Sequence, residues 1–471
     1  MAVPAEQRKK ILRVLMTSLL LDLVCLPSET SNINSNVQKW QISFTFILPL
    51  FPSLLSFYRE RDPSSSSPLN TVFHYLNAYK NAFAKPIDSR YDIVLLGGAL
   101  GSLFSLLQAI AAPVIGRLSD KHGRRKALLA SMLGNTLSVA LWVAATDFRT
   151  FLASRIVGGL SEGNVQLAHA IATDISEPSQ RGSTMALVGA CFSIAFTFGP
   201  ALGAYLSGIM TVKANPFATA AGVSLGLILL ETVYIYARLP ETHPQITGGS
   251  NSGSTMNEDP KKTKEAPKAK ISTYKYNNNP VTLNILHFLF LLPFSGMEFS
   301  LPFLTATFYT NSTASPAALN GRLLSTMGLI ASLLQGTVVR RLPPLLVVRI
   351  GVASATISFF LLSRVTSLAG LYTAATFLAV TSATVVTGLN ALGSLEAREE
   401  ERGVVLGRLR SWGQVGRAAG PVLFCTLFWW VGREVAYLTG SVVMAGVCMA
   451  VFLGLRAPAA PPAAGKRKPV Q

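Results

Sequence analysis

Gly116-Arg117-Leu118-Ser119-Asp120-Lys121-His122-Gly123-Arg124-Arg125-Lys126 is the stretch of this 471-residue chain that decides its fold. It lies between two apolar runs, 93–118 and 126–147, and reads as a tight polar turn joining two helices. Gly116 permits close helix approach, and Gly123 permits a turn conformation that other residues adopt only at a cost. Asp120 is suited to accept hydrogen bonds from arginines or from a helix N-terminus. An ordinary basic loop at a membrane surface explains Arg117, Lys121, Arg124, Arg125 and Lys126, but not the order G-x(3)-D-x(2)-G-R-R/K.

Outward from this loop the chain is a series of apolar runs: 149–171, 183–209, 215–238, 281–309, 323–342, 344–363, 367–394, 404–431 and 434–455. Each is long enough for a bilayer, which needs about 20 mostly apolar residues. Only 14% of residues are charged, against about a quarter in soluble domains. The first apolar run has no small-residue cleavage site and more spans follow it, so no cleavable signal peptide is expected. The net charge of +18 is not a nucleic-acid footprint, because the basic residues gather in alternate loops. That pattern puts both termini, the 116–126 loop and the central linker on the cytoplasmic side. The sequon Asn311-Ser312-Thr313, a candidate glycosylation site, falls on the opposite side. Of Cys25, Cys191, Cys425 and Cys448, the last three sit in apolar segments and read as packing residues.

The first span is irregular. Ile11–Leu23 is apolar, Val24–Gln41 is polar, and Ile42–Tyr58 is apolar again. Joining the apolar pieces gives LLLDLISFTFILPLFPSLL, a good membrane helix. Residues 24–41 therefore read as a spurious insert, an in-frame intron retained in the coding sequence. Valine codons begin GT and glutamine codons can end AG, as intron borders require. The alternative is a genuine luminal loop or re-entrant break.

Two other long connections occur. Arg59–Tyr91 contains Ser64–Ser67 and an amphipathic stretch. Residues 241–280, rich in Gly, Ser, Asn and Lys, cannot bury a core and read as a disordered cytoplasmic linker. The expected domains are an N-terminal six-helix bundle over 1–240, a C-terminal one over 281–456, and a cytoplasmic tail over 457–471. The halves are related: Arg181-Gly182 and Gly199-Pro200 recur as Arg402-Gly403 and Gly420-Pro421, both at an offset of 221 residues. Internal repeats of this kind mark secondary transporters.

The 116–126 loop resembles the signature of the major facilitator superfamily almost residue for residue. Arg155, in FLASRIVGGLSEGN, resembles that family's fourth-span arginine motif. Gly189 through Gly199-Pro200-Ala201-Leu202-Gly203 resembles its fifth-span antiporter motif. LLLD…FILPLFP and FSGMEFSLPFLT resemble the tetracycline-transporter-like, drug:proton antiporter branch. The second half departs from the pattern at GTVVRRLPP, where Arg340 stands in place of an acid, which counts against a symmetrical gate. The resemblance implies an all-α membrane protein of twelve transmembrane helices in two pseudo-symmetric six-helix bundles, working by alternating access. Gly116, Asp120, Gly123, Arg124, Arg125, Gly199, Pro200, Gly420 and Pro421 would serve its conformational gating.

Charges inside a bilayer are expensive and normally face a cavity or a partner. Asp22, Arg155, Glu162, Glu231, Glu298, Arg410 and Arg417 are such residues. In the family, spans one, four, seven and ten line the path, which implies Asp22, Arg155 and Glu298 around it, with Asn164 and Asn390 as polar contacts. Asp22 or Glu298 is the expected proton carrier, with Arg155 its partner or an anion contact. Glu162, Arg410 and Arg417 are further candidates, and Glu231 reads as snorkelling to an interface.

The expected activity is proton-coupled antiport of an organic amphiphile or drug-like molecule, organic anions included. The partners are that substrate, protons and the lipid bilayer, with no nucleic acid, cofactor or metal and with a monomer sufficient. The membrane is the plasma membrane, a vacuole or another endomembrane. One rival is a transporter-like receptor or lipid carrier without proton coupling. A weaker one is a membrane acyltransferase, from the H-x(4)-D pattern of His169 and Asp174. The chain has no P-loop and no Ser-His-Asp elbow, so ATP-driven pumping has no support.

Overall fold

A computed structural model describes residues 5–21, 57–58, 68–82, 92–207, 215, 217–244, 246, 277–307 and 316–457. Asp22, the suspected insert, Asn311 and most of the expected linker lie outside the described residues. Among the described residues all regular structure is helical. The helices are α1 (Ala5–Leu21), α2 (Pro68–Asn81), α3 (Asp92–His122), α4 (Arg124–Ala144), α5 (Phe148–Ser161), α6 (Asn164–Ile175) and α7 (Arg181–Ser207). They continue as α8 (Ala218–Arg238), α9 (Pro280–Thr307), α10 (Pro316–Thr337), α11 (Pro344–Ser363), α12 (Leu368–Glu396), α13 (Arg402–Trp430) and α14 (Arg433–Gly454).

Eight of the described helices are long and apolar enough to cross a bilayer. Large aliphatic side chains point outward from them, Leu453 at 80% exposed among them, with Leu133, Val233 and Val442. Such a surface suits lipid rather than water. Inside, one apolar cluster joins α9 to α14. Two more fill the N-terminal half, one among α1, α4, α6, α7 and α8 and one among α2, α3, α5 and α8. The amphipathic stretch expected in 59–91 is α2, which buries Leu69 and Phe73. The hydroxyls of its Tyr79 and of Thr426 on α13 lie 2.9 Å apart.

One expected element is corrected. The run 149–171 is not one helix but two, because the helix stops at Ser161 and restarts at Asn164. Periodicity could not reveal this, since apolar side chains continue across the break.

Helix α13 is the most closely packed element, and its small residues explain why. On one face, added β-carbons at Gly403 and Gly407 would fall 2.5 Å from the Gly116 carbonyl and 2.6 Å from the Ala112 carbonyl of α3. Further along that face the Ser411 hydroxyl donates to the Ala109 carbonyl at 2.6 Å. That carbonyl has no helical donor of its own, because Pro113 lacks the N–H four residues on. On the other face, a β-carbon at Gly416 would meet the Phe288 carbonyl at 2.6 Å and one at Gly420 the Leu292 carbonyl at 2.2 Å, both on α9. Small residues every three or four positions let backbones touch in a membrane, where dispersion replaces the hydrophobic drive.

Gly420 lies within the C-terminal half, so no rearrangement of the two halves relieves a clash there. Gly420→Ala is expected to destabilise the protein by about 1–3 kcal/mol, read as a lower melting temperature in detergent. An unchanged melting temperature would refute this packing account.

Candidate functional site

At the end of the bundle that carries the 116–126 loop, the halves are joined by charge. Asp120 closes α3 one turn after Gly116, on the same face. Its carboxylate accepts Gly403 N–H at 2.8 Å and Val404 N–H at 2.8 Å, the first turn of α13. It also accepts Arg124 Nη1 at 2.6 Å. Unsatisfied N–H groups and the positive end of the dipole make a helix N-terminus a fit partner for a carboxylate. Arg124 reaches on to Asp174 at the end of α6, 2.7 Å away, and Asp174 takes Arg402 of α13 at 3.0 Å on its other oxygen. The side chains of Arg124 and Asp174 are fully buried.

The turn itself is held from behind. Gly123 has φ of 100°, the left-handed region that favours glycine. The Glu241 carboxylate accepts the N–H groups of Arg124 and Arg125 at 2.8 and 3.2 Å, capping α4. It also takes Thr242 and His243 N–H at 3.0 Å. His243 is buried beside this cluster, and burial, with Arg124 adding to it, pushes its imidazole below the usual 6.5.

The repeat is visible in these contacts. Arg181, which begins α7, donates to the Ser394 carbonyl at the end of α12 at 2.8 Å. The 221-residue offset carries Arg181 onto Arg402 and Ser394 to the neighbour of Asp174, so each half's arginine crosses to the other half. The match stops at the loops. Arg340, in the turn that follows α10, only approaches the Gly336 carbonyl and is exposed, and among the described residues it caps nothing in α7. A second crossing contact lies deeper, where Ser193 of α7 donates to Gln335 Oε1 of α10 at 2.6 Å.

Further from the loop end, charged residues of both halves lie within their spans. Arg155 on α5 is buried. Its guanidinium lies 5.6 and 5.9 Å from the rings of Phe151 and Phe104, and its Nη2 donates to Ser154 at 3.2 Å. Glu162, at the break between α5 and α6, is an acid whose charge acts on both Arg155 and Arg410. Arg410 Nη2 lies 3.4 Å from Gln108 of α3. Arg417 binds Glu298 at 2.7 Å in a half-exposed pair. Asn164 is buried and takes Val165 N–H at 2.8 Å, and Asn390 is buried in α12.

Some expectations fall elsewhere. Glu298 is held by Arg417 and not by Arg155, whereas Asp22, the other expected partner of Arg155, lies outside the described residues; among these, Glu162 is an acid whose charge reaches Arg155. Glu231 does not snorkel: it is 2% exposed and accepts the Ser18 hydroxyl of α1 at 2.7 Å. Gly199 and Pro200 lie within α7, which runs helical through both, and Pro421 lies within α13. His169 and Asp174 do not act as a pair, since the ring contacts the Val165 carbonyl and the acid is taken by two arginines. Asp174, Arg402 and Glu241 were not singled out for a site. Arg402 was visible in the repeat, and the offset from the end of α12 would have pointed to the region of Asp174.

Two half-bundles joined at one end by a buried ion network, with charges spaced along their interface, describe a multi-pass helical membrane protein. Residues 40–421 match the family model of the Major Facilitator Superfamily, and the chain belongs to that family of transporters, not to the enzymes. It is 33% identical over 96% of its length to major facilitator superfamily domain-containing protein 10 of Mus musculus, covering 92% of that protein. The Homo sapiens protein of that name is 31% identical, over 93% of this chain and 91% of that one. Tetracycline resistance protein, class C, of Escherichia coli is 38% identical over 28% of this chain and 33% of its own. A crystal structure of the human organic anion transporter MFSD10 (TETRAN) superposes with a TM-score of 0.77 at 29% identity, over 95% of this chain and 100% of that one.

Removing one partner of a buried ion network costs about 3–5 kcal/mol. Asp174→Asn is therefore expected to loosen the loop end. A cysteine at Ser394, a fully buried position, should then react with a polar maleimide at least about tenfold faster. An unchanged rate would show that the network does not hold this end shut.

His243 stays neutral in the folded protein at pH values where the unfolded chain protonates it, so stability is expected to fall as pH drops below about 6.5. The melting temperature should fall less steeply between pH 7.5 and 5.5 in His243→Gln. Parallel curves would rule this residue out.

Proposed function

We propose that the chain is a proton-coupled antiporter that moves an organic amphiphile or drug-like molecule, organic anions included, by alternating access. The carrying observation is the set of charges between the halves, Arg155, Glu162, Arg410, Arg417 and Glu298, beyond an end shut by Asp120, Arg124, Asp174 and Arg402. Among the described residues three arginines stand against two acids there, so with the proposed carrier Asp22 protonated the path is net positive, which suits an anionic cargo. The human relative named as an organic anion transporter covers nearly the whole chain, which supports the same class. The arrangement is twelve helices in two six-helix bundles over 1–240 and 281–456, with the loop end and both termini cytoplasmic. The protein works as a monomer in the plasma membrane, a vacuole or another endomembrane.

Asp22 is the proposed proton carrier in the first span, and Glu298 the alternative. Residues 24–41 are proposed to be absent from the working protein. Gly116, Gly123, Gly199, Pro200, Gly420 and Pro421 serve the gating by letting helices approach and bend.

The test is uptake into proteoliposomes across an imposed pH gradient, with a panel of organic anions and cationic drugs, for protein with and without Val24–Gln41. Gradient-driven movement is expected from the shortened form and is expected to vanish in its Asp22→Asn variant. Accumulation by the asparagine variant would exclude Asp22 as carrier. Cargo movement indifferent to the gradient would favour a carrier without proton coupling.

A further inference from the structure

The break in span four has features of a built joint. Glu162 has φ and ψ of −70° and 85°, and Gly163 has −117° and −9°, so neither continues the helix of α5. Unsatisfied backbone groups inside a bilayer cost several kcal/mol each, and here a side chain meets them. The Ser131 hydroxyl of α4 accepts Gly163 N–H at 2.8 Å and donates to the Ser161 carbonyl. Gly163 has no room for a side chain, since a β-carbon would lie 2.7 Å from Ile115 Cγ2 of α3.

The repeat supplies a control. The offset of 221 residues places Glu162 and Gly163 on Ala383 and Thr384. Those residues lie inside α12, which runs unbroken for 29 residues. The joint therefore belongs to this half's sequence and not to the duplicated fold. It divides span four into α5, carrying Arg155, and α6, carrying Asp174 of the ion network. At the joint stands an acid that acts on an arginine from each half.

We infer that Glu162 is a second protonation site, distinct from the proposed carrier Asp22: its protonation releases the joint and lets α6 swing with Asp174, while α5 stays packed. The inference rests on the proton-coupled reading above. Glu162 is a positioning residue acting through Asp174 on the closed end. Ionised, it attracts both Arg155 of α5 and Arg410 of α13 from the joint. Protonated, it loses its charge attraction for both, and the pieces on either side of the joint separate. The other groups near it are Asn135 of α4, 3.4 Å from its carboxylate, and, beyond Arg410, His169 of α6 and His287 of α9. Tyr58 lies beyond Arg155.

The test is pulsed electron resonance on full-length, cysteine-free protein in nanodiscs, from pH 8 to pH 5. One label pair spans the joint, at Arg149→Cys and Ser179→Cys, and a second spans the unbroken counterpart, at Leu368→Cys and Glu400→Cys. The first pair is expected to show two distance populations whose ratio moves with pH, and the second a single fixed distance. Glu162→Gln should hold the first pair in its low-pH population throughout, and Glu162→Asp should keep the response with a displaced midpoint. A Glu162→Gln variant that still responds with the original midpoint overturns the inference, while pH-driven uptake in liposomes would leave the antiport reading standing. If the glutamine variant does not fold, an aspartate variant with an undisplaced midpoint overturns it equally. If neither the span-four distance nor uptake responds to pH, both readings fall.

Discussion

The carboxylate of Asp120 is the contact on which the closed end depends. It works because two unrelated requirements fall one helical turn apart. Gly116 has no side chain, so α3 meets α13 backbone to backbone. Asp120, four residues later on the same face, is thereby carried within reach of the first peptide N–H groups of α13. Neither residue suffices alone. With a larger residue at 116 the helices stand apart, and without the acid at 120 the N-terminus of α13 loses its cap. Arg124 then extends the charge sideways to Asp174 and Arg402.

The same economy governs α13. Its small residues form one stripe towards α3 and another towards α9, and Arg410 and Arg417 lie two turns apart along it. A helix gripped on two faces by backbone contact cannot rotate freely, so the arginines have fixed azimuths. This is how a residue as long and mobile as arginine is aimed within a bilayer: its side chain gains little from the lipid, but its helix has nowhere to turn.

The sequence shows the helical class, the repeat and the loop chemistry because each is local or periodic. Gly116, Asp120 and Gly123 could be read from one short stretch, and the 221-residue offset needed only pairs of dipeptides. The break at Glu162 was hidden because 149–171 is apolar on both sides of it, and its cause lies in Ser131, some thirty residues away in sequence. The pairing of Glu298 with Arg417 was hidden for a similar reason: a charge inside a span needs a partner, but only the packing says which one it gets. Glu231 looked peripheral from its place late in a span, whereas its environment is set by α1, at the other end of the half. Asp174 was hidden differently, since a chance resemblance to an enzyme pattern drew attention from its position in the repeat.

The composition of the interface between the halves bears on whether they can part. The large apolar clusters lie mostly within one half or the other. The apolar cluster that crosses beside α7 is small, built of Ala186, Ala331, Val339, Val347 and Ala383. Beside the close α3–α13 packing and single apolar residues such as Leu95 and Ala391, the crossing contacts are polar: Asp120 to backbone N–H, Asp174 to Arg402, Arg181 to Ser394, and Ser193 to Gln335. An apolar contact torn open to water loses its whole transfer energy, in proportion to area. A hydrogen bond exchanged for one to water changes the balance by only about 0.5–1.5 kcal/mol. Halves joined by polar contacts can therefore be firmly registered when closed and still separate at small cost when water or cargo takes the place of the partner. Under alternating access this is the property that the interface must have. The asymmetry between Asp120 and Arg340 places the stronger of the two loop contacts on the N-terminal half, the half whose fourth span is jointed.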